Sequence, residues 1–171
     1  FGINNVALVD GTPRTMGLKE LLTVYVDFRI DVVRRRSQHR LDRALERLHL
    51  VEGLLVAILD IDEVIQVIRS SDDAGTARDR LMVVFELSEA QASYILDLQL
   101  RRLAALERQK IVDDLAAIEE QIADYKDILA KPERQREIVG DELKEIVDKY
   151  GDEVDAIVPA VDHEFTRTVQ Q

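Results

Sequence analysis

Three kinds of side chain in this sequence could do chemistry, and their spacing decides how far each goes. Asp60-Ile61-Asp62-Glu63 places three carboxylates within four residues, the oxygen-rich set a divalent cation takes. The same residues stand where one helix stops and another begins, and acidic side chains suit that first turn. The helix boundary is the simpler reading. His39, His49 and His163 lie ten or more residues apart, without metal-ligand spacing. Tyr25, Tyr94, Tyr125 and Tyr150 could each act as a nucleophile, but none sits in a basic setting. Their positions on apolar helical faces give all four a packing role instead. There is no glycine-rich phosphate loop and no Ser, His and Asp set. The expectation is a chain with no catalytic, cofactor or metal site.

Charge is more pointed. Residues 29 to 47 hold seven arginines against three carboxylates, an excess of four positive charges. Residues 107 to 131 hold seven acids against four bases, an excess of three negative charges. Two such helical faces neutralise each other if they pair. The alternative is that Arg34, Arg35 and Arg36 look onto a path taken by nucleic acid. The net charge of −11 opposes tight binding of DNA or an anionic membrane by the chain as a whole.

These residues must be positioned by helices. From Ile111 the apolar residues step to Leu115, Ile118, Ile122, Tyr125 and Leu129, alternating four and three. That is the repeat of a helix burying one seam against another. Leu103 to Leu129 therefore reads as one rod. Its partner is upstream, where Leu41, Ala44, Leu48, Val51, Leu55 and Ile58 alternate three and four within a stretch, Leu18 to Leu59, broken by no residue but Gly53. Before residue 41 the stripe shifts to Leu18, Leu21, Tyr25, Phe28 and Val32, so that half packs differently. Between the rods, helix-start signals at Asp60, Ser71-Asp72-Asp73 and Ser88 predict short helices over Glu63–Arg69, Ala74–Phe85 and from Glu89 onward. Pro132 should bend the axis before a last helix that ends at Gly151.

The fold expected is mainly all-α: a long antiparallel coiled-coil hairpin, residues 18–59 and 104–150, with a small helical knob, 60–103, at its tip. A β-type run from Phe1 to Val9 with a turn at Asp10-Gly11-Thr12-Pro13 precedes it. No other strand is evident before residue 154, so residues 1–17 read as an end strand or hairpin whose sheet is expected outside the sequence. Residues 151–171 read as a tail, with one strand at most in DAIVPAV. The absence of Cys fits a cytoplasmic setting. No window is apolar enough for a membrane span. Starting at Phe1 within an apolar run, the chain reads as a piece of something longer.

Three blocks carry a resemblance: FGINNVALVDGTPR, VVRRRSQHRLDRALERLHLVEGLLVAILDIDEVIQVIR, and SEAQASYILDLQLRRLAALERQKI. In order and spacing they resemble the A subunits of bacterial type IIA DNA topoisomerases, gyrase and topoisomerase IV, with gyrase preferred. The likeness runs from Phe1 to about Gly151. Beyond that the family's Arg-Arg-Thr strand is replaced by Val154-Asp155-Ala156. The resemblance implies the last third of a breakage-reunion domain: residues 1–17 closing a preceding tower domain, then a coiled-coil arm whose knob dimerises as the exit gate for a transported duplex. It also implies a catalytic tyrosine upstream of Phe1, with ATP and Mg handled by other domains and by a partner ATPase subunit. On helical spacing, Tyr94, Leu98, Arg101 and Arg102 form the two-fold contact, while Ala92, Leu96 and Leu103 face the knob core. A stand-alone helical-hairpin dimerisation module, as in a chromosome-organising protein, is the alternative; an enzyme would need a polar pocket that the spacing does not suggest.

Overall fold

The computed structural model describes residues 4–98 and 108–151. It is built of helices: α1 (Leu18–Leu59), α2 (Ile61–Arg69), α3 (Ala74–Val84), α4 (Glu89–Asp97), α5 (Arg108–Ala130) and α6 (Pro132–Tyr150). An antiparallel hairpin, β1 (Val6–Val9) and β2 (Thr12–Thr15), precedes them. The chain divides after Val33 and after Lys131 into two compact units.

The first unit holds the hairpin, the start of α1 and α6. Val9 pairs with Thr12 and Val6 with Thr15, so Asp10-Gly11 forms a two-residue loop. Asp10 has φ 51° and Gly11 φ 77°, the left-handed values that such a loop needs to match strand twist. A hairpin therefore stands within residues 1–17, and the expectation that no second strand lies nearby is corrected: β2 follows β1 immediately. Its four residues, TPRT, are all exposed and carry a proline, which suits an edge strand and hides it from periodicity. The apolar residues here are poorly covered. Leu8 is 73% exposed and Phe28 57%. Arg29 reaches Glu142 at 2.5 Å, joining α1 to α6, while Val33 and Val139 are buried. Tyr150, expected to pack, is instead 70% exposed, with the Lys149 ammonium 5.3 Å above its ring.

The second unit runs from Arg34 to Lys131 and has one continuous core. Leu41, Ala44 and Val51 of α1 and Ile111, Ile118 and Ile122 of α5 are buried in it. Leu48, Leu55, Leu115, Tyr125 and Leu129 pack against the same cluster, half-buried. Thus α1 and α5 share a seam, with Arg47 lying 3.9 Å from Asp114 at its flank. The core continues into the short helices through Val64, Val67, Leu81, Ala92 and Ile95. α2 begins at Ile61, two residues earlier than Asp62-Glu63 alone suggest, and α3 ends at Val84. α4 ends at Asp97, where Leu98 turns extended with ψ 130°. The rod expected from Leu103 is described from Arg108; its first residues lie outside the described segment.

Candidate functional site

The knob helices are set by their starts. Asp73 caps α3, its carboxylate accepting the Thr76 backbone N–H at 2.7 Å and the Thr76 hydroxyl at 3.2 Å. That backbone hydrogen bond, then the hydroxyl, hold the Asp73 carboxyl below its ordinary range. Asp60 occupies the N-cap position of α2 without a side-chain cap bond. The Arg80 guanidinium ties α3 back to the end of α2, donating to the Ser70 carbonyl at 3.2 Å and the Ser70 hydroxyl at 2.9 Å.

α4 is held more firmly. Ser88 and Gln91 form a capping box: the Gln91 N–H donates to Ser88 Oγ at 3.2 Å, and the Ser88 N–H donates to Gln91 Oε1 at 2.9 Å. The free end of the Gln91 amide then donates to the His49 carbonyl of α1 at 2.7 Å, and His49 Nε2 lies 2.7 Å from Ser88 Oγ. Gln91 is almost fully buried, so this bonding is what makes its burial tolerable. Room for it comes from Gly53. A Cβ there would stand 2.6 Å from Gln91 Cγ, an overlap real atoms do not make. Sequence reasoning missed this clasp, although the Ser-x-x-Gln spacing and the lone glycine of α1 both signalled it.

Of the residues expected at a two-fold contact, Tyr94 and Leu98 are described. Tyr94 is 36% exposed, at the edge of the knob. Leu98 is half-buried against the core, and Arg101 and Arg102 lie outside the described residues. Leu98 and Tyr94 line a cavity of about 580 Å³ with Leu50, Leu54, Ile111 and Asp114, between α1, α4 and α5. Ala92 is fully buried and Leu96 packs on the core, while Leu103 is outside the described segment. Among the described residues of the knob, the most exposed apolar one is not singled out by the spacing: Val83 of α3, at 80%, with Val84 beside it 47% exposed.

Arg34 and Arg35 are exposed and Arg36 is half-buried, and each has an interaction within the chain. Among the described residues no three His, Asp or Glu side chains are grouped as a metal ion would require, and Asp60, Asp62 and Glu63 do not converge. Nor is any described helix long and apolar enough to cross a membrane.

Known proteins share this sequence pattern. The family of DNA gyrase and topoisomerase IV A subunits matches residues 1–144. A DNA gyrase A subunit of Mycolicibacterium smegmatis is 58% identical over 152 residues, covering 89% of this chain and 18% of the relative. The DNA gyrase A subunit of Mycobacterium tuberculosis strain H37Rv is 56% identical over 153 residues, 90% of this chain and 18% of its own length. That of Brachyspira hyodysenteriae is 47% identical over 153 residues, with the same shares. The chain therefore spans under a fifth of these relatives. With its paired helices, capped knob and matched sequence, the chain belongs to the family of DNA gyrase and topoisomerase IV A subunits.

Proposed function

We propose that this chain is the exit-gate and coiled-coil region of a DNA gyrase A subunit. In this reading α1 and α5 form the arm, and residues 60–103 form a knob that pairs with a second copy. The pair holds two subunits together and parts to release a transported DNA duplex during ATP-dependent supercoiling. ATP, Mg and the cleaving tyrosine belong to other parts of the enzyme and to its ATPase subunit. The assembly works in the cytoplasm. The reading rests first on one observation: the knob is built into the same core as the arm, yet leaves Val83, Val84 and Tyr94 outside it. A rigid knob with uncovered apolar residues suits self-association. The gyrase relatives support the choice of gyrase over topoisomerase IV.

Sedimentation of the chain tests this. A dimer should be present at micromolar concentration, since a stable contact of this kind buries roughly 1,200–2,000 Å². Val83→Glu and Tyr94→Glu place a charge against apolar surface, costing several kcal/mol, and a loss of about 4 kcal/mol weakens association roughly a thousandfold. Both variants should be monomers with unchanged helical circular dichroism. Leu98→Glu should also lose helical signal, because Leu98 packs inward. A wild-type chain that stays monomeric at tens of micromolar would sink the proposal.

A further inference from the structure

Along α1 the arginines are not scattered. Arg36, Arg40, Arg43 and Arg47 are spaced four, three and four, which puts them in one row on the helix. The row is about 16 Å long at the rise of a helix. It runs beside the seam, whose buried residues Leu41, Ala44 and Val51 fall on a neighbouring face. Arg40, Arg43 and Arg47 are exposed. Arg36 is half-buried and has an interaction within the chain, while the carboxylates that meet Arg43 and Arg47 are loosely held. Arg43 lies 3.3 Å from Glu46 with both side chains about two-thirds exposed, at 71% and 66%. Arg47 lies 3.9 Å from Asp114 with both 63% exposed. Such wet pairs contribute little and are readily exchanged for another anion. Among the described residues Arg40 makes no ion pair, and His39 beside it is exposed.

We infer that this row, Arg36, Arg40 and Arg43 with Arg47 at its end, is a track for the phosphate backbone of a DNA double helix. The inference rests on the gyrase reading for its partner and goes beyond it in assigning the contact to named side chains. Guanidiniums suit the role because each presents a fork of donors to phosphate oxygens and never loses its charge. A row along a rod meets a stiff, regularly charged cylinder at several points at once. The contact carries no base information, so it would hold a passing duplex without arresting it.

The test is a fluorescence anisotropy titration of the chain with a duplex of about 20 base pairs across 50–200 mM salt. Arg36→Gln, Arg40→Gln and Arg43→Gln are combined in one variant. Lys126→Gln, Lys144→Gln and Lys149→Gln, with the same change of charge, are combined in a control. Binding should be weak at physiological salt, above micromolar, and steeply salt-dependent. The arginine variant should bind at least tenfold more weakly at low salt and lose about 3 from the slope of log affinity against log salt. The lysine control should keep most of both. Equal losses in the two variants would mean general attraction and overturn the track. So would a single strand of equal length binding as tightly as the duplex. Sedimentation of the same variants separates the two ideas: an intact dimer with no loss of binding leaves the gate reading standing and removes only the track.

Discussion

The two units of this chain both carry many apolar side chains and use them in opposite ways. From Arg34 to Lys131 the seam and the knob share one core, and Ala57, Val64, Leu81 and Ala92 are completely shielded. In the other unit Val6, Leu8, Leu18, Leu22 and Phe28 all stand more than half exposed. A two-stranded hairpin is marginal without further strands or a helix against it. The first pattern is that of a part stabilised by its own contacts; the second is that of a surface suited to being covered. The lesson is that helix alone says nothing about self-sufficiency: α1 runs through both environments without a break.

Truncations should separate the units most sharply. Ile118→Ala and Ile95→Ala each remove a buried side chain from the continuous core and should cost about 2–5 kcal/mol in urea unfolding. Phe28→Ala and Leu8→Ala, in the uncovered unit, should stay within about 0.5 kcal/mol of wild type. Comparable losses at both pairs of sites would erase the distinction.

The clasp between α1 and α4 comes next. Gly53→Ala should destabilise by about 1–3 kcal/mol despite alanine's better helix propensity, because Gln91 must leave its place. Gln91→Ala should cost a similar amount by leaving the Ser88 N–H and the His49 carbonyl with fewer partners. The double variant should lose clearly less than the two losses added, since the small residue at 91 frees the space. Strict additivity, read by thermal melts, would mean the contact is not what matters.

Within the exposed unit the Arg29–Glu142 pair, each side chain 27% exposed, offers a smaller effect. Arg29→Met should lower stability by about 1 kcal/mol, and the loss should shrink in high salt. The smallest expected change lies at Asp73. Its carboxyl is held low in the folded chain, so the stability it adds is present above its unfolded value and is lost as pH falls through the folded one. Asp73→Asn should therefore flatten the fall of melting temperature below about pH 4, with little change at neutral pH where asparagine still caps.

The long helices, the seam they share and the starts of the short helices between them are legible in the sequence because they rest on period and on punctuation. An apolar step of three and four, and the absence of Gly and Pro from Leu18 to Glu52, leave few alternatives to a helix. What escapes depends on geometry that period does not carry. β2 is hidden because four exposed residues around Pro13 show no alternation; only the Asp-Gly turn marks it. Continuing α4 as a helix puts Leu98 on Tyr94's face, but the helix stops at Asp97 and the extended Leu98 turns toward the core. Val83 gives no signal because the run Leu81 to Phe85 is apolar at every position and so marks no one face of the helix.

Gly53 and Gln91 are 38 positions apart in sequence and occupy one volume in space. Across related proteins, these two sites should therefore be inherited as a pair: a larger residue at 53 calls for a smaller one at 91. Any descendant that changes only position 53 passes through a strained intermediate. A glycine in the middle of a long helix, usually read as a weak spot, is here the record of a neighbour's shape.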